Sequence, residues 1–167
     1  MKISESDLLK LADKIGQLLK QKNLFLATAE SCTGGQVAEV ITSIPGSSAW
    51  FDRGFVTYSN QAKQEMLGID QNIITKYGAV SDETVCAMAE GALQYSQAKV
   101  AVAITGITGP DGGTPDKPVG TVWIAWAISG KLLQTELFHF AGDRLEIRRQ
   151  ATQAALKKVL YCLEKLS

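Results

Sequence analysis

The chain has 167 residues, and its 17 Lys plus Arg match its 17 Asp plus Glu, so its formal net charge at pH 7 is zero. That length suits one domain with a proper core; the balanced charge leaves no basic footprint for nucleic acid, and no apolar stretch is long enough to span a membrane. Three scattered cysteines (Cys32, Cys86, Cys162) form neither a disulfide framework nor a zinc pattern, and His139, the only histidine, excludes a histidine-rich metal site.

The acidic residues in Met1–Asp7 do not fit an export signal, and a reducing cytoplasm is expected. From Ser4 to Lys22, the repeat Leu8, Leu11, Ala12, Ile15, Leu18, Leu19 predicts a helix with one buried stripe and Ser4 as its N-cap. Leu24–Ala29 reads as a strand buried on both faces, as in a parallel sheet covered by helices. It ends in Glu30-Ser31-Cys32-Thr33-Gly34-Gly35, and a helix-like pattern follows from Thr33 to about Ile44. Strand, tight turn and helix place Ser31 beside first-turn N–H groups that lack intrahelical partners. Such donors can hold the oxyanion of an acyl-transfer intermediate. On the turn alone, a simple cap formed by Ser31 or Thr33 is the favoured reading, because caps are far commoner than nucleophiles.

Trp50-Phe51 and Phe55–Tyr58 form a β-rich stretch interrupted at Asp52-Arg53-Gly54. Ser59 or Asn60 then caps a short helix that Gly68 stops, with Lys63 in or near its first turn. A cation is disfavoured there, which depresses its pKa and suits a lysine to general-base work. A solvated surface lysine is the plainer reading. Ile73–Val80 leads to Ser81, the cap of a long helix through Val85, Met88, Ala89, Ala92 and Leu93.

Val100–Ile104 is a second buried strand, and the Gly-rich segment Thr105–Pro115 follows it. Ligands of open α/β sheets bind at such carboxyl ends, and backbone N–H groups in glycine loops form anion nests. The loop matches neither the phosphate-binding nor the dinucleotide fingerprint. Thr121–Ile128 and Leu132–Phe140 read as a hairpin about Ser129-Gly130. Gly142-Asp143-Arg144 opens the last helix, with Arg144 and Arg148 four apart on one face near its start. The expected order, α-β-α-β-α-α-β-β-β-α, implies one α/β domain over residues 1–167. It is a three-layer α/β/α sandwich with a mixed, mainly parallel sheet.

The motifs Ala29–Gly35, Tyr58-Ser59-Asn60-x-x-Lys63, Gly78–Ser81, Thr105–Gly113 and Gly142-Asp143-Arg144-x-x-Ile147-Arg148 occur in this order over almost the entire chain. Together they resemble the carboxy-terminal domain family of the competence/damage-inducible protein CinA. The resemblance implies hydrolysis of the carboxamide of nicotinamide mononucleotide, giving nicotinate mononucleotide and ammonia in pyridine-nucleotide recycling. It implies Ser31 as nucleophile, with Lys63 and Tyr58 as acid/base groups, without cofactor or metal. Backbone N–H groups near Thr33, Gly34 and Gly35 would hold the oxyanion. Thr105, Gly106, Gly109, Gly112 and Gly113, with Arg144 or Arg148, would hold phosphate and ribose. The chain departs from the family pattern at Thr108 and Asp111, where alanine and glycine are common. The small-molecule substrate is the expected partner, with neither nucleic acid nor membrane, and the resemblance adds a homo-oligomer.

Two other readings compete. One is a nucleotide-sensing domain that binds a pyridine nucleotide without turnover, for which Lys63 would have no purpose. The other is thiolate chemistry at Cys32, which a cysteine at a helix start can support.

Overall fold

The computed structural model describes residues 2–167. Helix α1 (Glu5–Gln21) is capped by the Ser4 hydroxyl, which accepts the Asp7 N–H. Strand β1 (Leu26–Glu30) is buried along its length, and helix α2 (Gln36–Thr42) follows. After a 3₁₀ turn come β2 (Phe51–Val56), α3 (Asn60–Leu67), α4 (Gln71–Tyr77) and α5 (Asp82–Gln94). Then β3 (Val100–Gly106), β4 (Thr121–Ile128) and β5 (Leu132–His139) lead to α6 (Arg144–Lys165).

The five strands lie in the order β2-β1-β3-β4-β5. β1 is parallel to β2 and β3, while β4 is antiparallel to both β3 and β5, so only β4 runs against the others. The sheet is mixed and mainly parallel by strand direction, as expected.

Two apolar layers cover it. One joins α1, α2 and α6 to the face carrying Leu26, Val102, Ile124 and Trp126. The other joins α5 to the alanine-rich face of Ala27, Ala29, Ala101, Ala103 and Ala125. Small residues on that face bring α5 close to the sheet. At Gly91 a Cβ would collide with the Leu67 carbonyl, so this glycine seats the end of α3 against α5. The segment that carries Lys63 is thereby held over the carboxyl ends of β1 and β3.

Three sequence expectations are corrected. β2 is continuous through Asp52-Arg53-Gly54 and pairs with β1 on both sides of a bulge at Asp52, because an edge strand tolerates polar residues and a bulge. The segment before Ser81 contains α4, whose cap is the Asp70 carboxylate on the Asn72 N–H. Finally, α2 is shorter than expected, starting at Gln36 and ending at Thr42. Gly34 and Gly35 have φ of +60° and +102°, left-handed values that favour glycine and keep these residues outside the helix.

Candidate active site

Ser31 stands where β1 leaves the sheet. Its N–H donates to the Ile104 carbonyl of β3 (3.0 Å), and its own carbonyl accepts the Gly34 N–H (3.0 Å). These bonds close the turn and leave the hydroxyl facing a cleft, with Ser31 only 8% exposed. The preceding residue, Glu30, is turned into the protein. Its carboxylate accepts the Thr33 hydroxyl (2.6 Å) and the N–H groups of Val37 (2.9 Å) and Ala38 (3.0 Å).

This narrows the expected source of oxyanion donors. The N–H groups of Val37 and Ala38 are engaged by Glu30, and that of Gly34, one of the three expected, by Ser31. Among the described residues, the N–H groups of Cys32, Thr33 and Gly35 have no protein acceptor. The first two are the donors nearest Ser31 in the chain that remain open to a ligand.

Lys63 comes from α3. The Ser59 hydroxyl caps that helix through the Ala62 N–H (3.0 Å), and Gly68 ends it in a left-handed turn. Lys63 is 1% exposed and directs its ammonium position onto three oxygens. They are Ser31 Oγ at 3.2 Å, the Thr57 carbonyl at 3.0 Å and the Tyr58 carbonyl at 3.4 Å. Among the described residues no carboxylate pairs with it. Burial holds its pKa below the usual lysine value, because removal from water disfavours the charged form.

The neighbouring thiol behaves oppositely. Cys32 is buried, and burial, aided by the negative charge of Glu30, pushes its pKa up to about 12. A thiol held protonated is a poor nucleophile, so the arrangement favours the hydroxyl over the thiolate reading.

Ser31 and Lys63 lie in a cleft of about 260 Å³ at the carboxyl edge of the sheet. Of the other residues singled out in the sequence, Tyr58, Thr105, Gly106, Gly109, Gly112 and Arg144 also line it. Thr33, Gly34, Gly35, Gly113 and Arg148 are not in its wall. Thr105 donates its hydroxyl to the Ala79 carbonyl (2.9 Å), tying the α4–α5 connection to the end of β3. Tyr58 is 62% exposed, and its hydroxyl accepts from Arg144 Nη2 (3.1 Å). Arg144 Nη1 donates to the Gly109 carbonyl (2.8 Å), so Arg144 bridges the Tyr58 segment and the glycine loop. Arg148 instead reaches the turn after Ser31, donating from Nε to Cys32 O (3.2 Å) and from Nη2 to Thr33 O (2.9 Å).

Glu30, Asn60 and Val80 fall within the sequence motifs, but sequence reasoning gave them no role in the site. Asn60 and Val80 line the cleft. The available signal for Glu30 was a carboxylate closing an otherwise apolar strand, which calls for donors inside the fold. A larger groove of about 880 Å³ runs along β5 and α6, but Ser31 and Lys63 are not in it. The paired Ser31 and Lys63 make the smaller cleft the candidate site.

Fold and site together define an α/β domain with a buried serine–lysine pair at the carboxyl edge of its sheet. The chain belongs to the CinA C-terminal domain family, whose profile matches residues 8–163. It is 52% identical over 155 residues to the nicotinamide-nucleotide amidohydrolase PncC of Escherichia coli K12, covering 93% of this chain and 94% of that protein. A protein of the same description from Pseudomonas putida is 51% identical over 150 residues, covering 90% and 93%. Among solved structures, a competence/damage-inducible protein from Agrobacterium tumefaciens superposes with a TM-score of 0.92 at 42% identity, covering 99% of both chains. A CinA superfamily protein from Escherichia coli gives 0.90 at 37% identity, covering 97% and 94%.

Proposed function

We propose that this single-domain chain hydrolyses the carboxamide of nicotinamide mononucleotide, releasing ammonia and nicotinate mononucleotide, through an acyl-enzyme on Ser31. The observation that carries this reading is Lys63, buried without a carboxylate and 3.2 Å from Ser31 Oγ. A domain that only bound the nucleotide would gain nothing from desolvating a lysine beside a hydroxyl.

Neutral Lys63 accepts the Ser31 proton as Oγ attacks the carboxamide carbon. The resulting oxyanion lies toward the open N–H groups of Cys32 and Thr33. Lys63, now an ammonium, returns the proton to the leaving nitrogen; the C–N bond breaks and ammonia departs. Water then attacks the ester with Lys63 again as base, and Ser31 is regenerated. Arg144, the one arginine in the cleft wall, suits the phosphate, and Asp111 on the same wall complements the cationic pyridinium ring. Tyr58 contacts Lys63 through its carbonyl and Arg144 through its hydroxyl, so we assign it to the mouth of the cleft.

Ammonia release from nicotinamide mononucleotide by the purified protein, lost in Ser31→Ala, tests this assignment. Retained binding without turnover in the unaltered protein points instead to the sensing role.

We further propose that the enzyme works in the cytoplasm as a homo-oligomer. β5 is an edge strand whose Leu133 and Leu137 are exposed. A two-fold axis at Thr135 would set Leu133 against the partner's Leu137 and Gln134 against the partner's Glu136, with no like charges opposed. Sedimentation of the intact protein and of Leu137→Lys tests that contact: a dimer that the lysine dissociates supports it, and an unchanged dimer places the interface elsewhere.

A further inference from the structure

Arg148 carries charge at the start of α6, yet it neither lines the cleft nor pairs with a carboxylate among the described residues. Both of its hydrogen bonds go to successive carbonyls of the nucleophile turn, Cys32 O and Thr33 O. The turn's own hydrogen bond, from Gly34 N–H to Ser31 O, fixes its outer peptides. The central peptide, between Cys32 and Thr33, is not held by that bond. In a trans peptide the N–H points opposite to the C=O. Drawing the Cys32 carbonyl toward α6 therefore turns the Thr33 N–H to the other side of the turn, away from α6. The Ser31 carbonyl, held by Gly34, orients the Cys32 N–H in the same way. The open N–H groups of Cys32 and Thr33 are thus the partners of two pinned carbonyls, unlike the open Gly35 N–H further along the turn.

Other contacts show that the turn is shaped around this arginine. At Gly34 a Cβ would stand 3.1 Å from Arg148 Nη2, so the glycine leaves room for the guanidinium as well as meeting the positive φ. The Thr152 hydroxyl shares its one proton between the Arg148 carbonyl (3.0 Å) and the Gln36 side-chain oxygen (2.7 Å), linking α6 to the first residue of α2. Glu30 anchors the far side of the same turn through Thr33 and α2.

We propose that Arg148 is a positioning residue that sets the Cys32 and Thr33 N–H groups for the oxyanion, and is not a ligand of the substrate phosphate. This rests on the reading of Ser31 as nucleophile. A lysine in its place offers a single point charge and cannot reproduce the planar fork across two carbonyls.

The test compares Arg148→Lys and Arg148→Ala with the unaltered enzyme by steady-state ammonia release. Nicotinamide mononucleotide binding is measured by calorimetry with Ser31→Ala also present. Misplaced donors should lower kcat by about 100-fold while KM and Kd stay within about threefold. Millimolar guanidinium should restore part of the turnover of Arg148→Ala. Thermal melting reports whether each variant folds; if Arg148→Ala does not, Arg148→Lys carries the comparison. A Kd weakened as much as kcat/KM, with kcat unchanged, makes Arg148 a substrate ligand and overturns the proposal. Unchanged kcat and KM in a folded variant overturns it too. Ser31→Ala alone separates the two readings: activity there removes the nucleophile, whereas a normal kcat in the Arg148 variants removes only the positioning role.

Discussion

Lys63 Nζ sits between Ser31 Oγ at 3.2 Å and the Thr57 carbonyl at 3.0 Å, with the Tyr58 carbonyl completing a set of three oxygens. A neutral amine has two N–H donors and one lone pair. If the two carbonyls take the donors, the lone pair is left for the Ser31 hydroxyl proton. The same three oxygens accept all three protons of the ammonium once it forms. The three oxygens therefore accommodate both protonation states of Lys63 without moving it.

The pH dependence follows from the depressed pKa of Lys63. At its ordinary value of about 10.4, only about one lysine in a thousand is neutral near pH 7.4. Burial lowers that value, so kcat/KM should rise with pH through an apparent pKa clearly below 10.4. Stability has a matching sign. Between the depressed folded value and the unfolded one, the unfolded chain binds the extra proton, so raising pH stabilises the fold. Relative to Lys63→Met, the unaltered protein should gain stability across that window. Denaturation at several pH values measures the difference, and a flat difference would mean that Lys63 keeps its ordinary pKa.

Cys32 should be chemically quiet. With its thiol pushed up to about 12, alkylation by iodoacetamide near neutral pH should be slow in the native protein and fast after unfolding. Cys32→Ala should retain most of the activity. Rapid native alkylation that abolishes turnover would return the thiolate reading to consideration.

Glu30 should matter first for stability. Glu30→Ala removes the acceptor for the Thr33 hydroxyl and for the N–H groups of Val37 and Ala38, leaving buried donors unpaired. The expected loss is about 2–5 kcal/mol. Urea denaturation measures it, and a loss under about 0.5 kcal/mol, as at ordinary surface positions, contradicts the capping role.

Tyr58 and Arg144 should affect substrate capture more than chemistry. Tyr58→Phe removes the hydroxyl that Arg144 Nη2 touches at 3.1 Å, and Arg144→Ala removes the cleft's arginine. Both should raise KM, Arg144→Ala by about 10-fold or more as expected for a lost charge-assisted contact. A Tyr58→Phe variant that loses kcat at unchanged KM would restore the tyrosine as an acid/base group.

Much of this was legible in the sequence. The buried strands are apolar runs, and Ser4, Ser59 and Ser81 cap the helices expected of them. Ser31 and Lys63 were singled out in separate motifs and lie within hydrogen-bond distance in the fold. What escaped was local geometry that needs partners from distant segments. The donors beside Ser31 could not be sorted without knowing that Glu30 folds under the turn. Arg144 and Arg148 share a helix face by spacing, yet one reaches the cleft and the other reaches carbonyls 115 and 116 positions earlier. The α4 helix was missed because Ile73-Ile74 is a short apolar run that spacing alone cannot assign to helix or strand.

The most direct measurement is ammonia release from saturating nicotinamide mononucleotide by the unaltered protein, Ser31→Ala and Lys63→Arg, with calorimetry confirming that each binds the nucleotide. Arginine keeps the cation but stays protonated, so it cannot serve as the base. The account predicts turnover by the unaltered protein and at least about a 1,000-fold loss in both variants, with binding retained. Near-normal turnover by Lys63→Arg, or by Ser31→Ala, would contradict the serine–lysine mechanism.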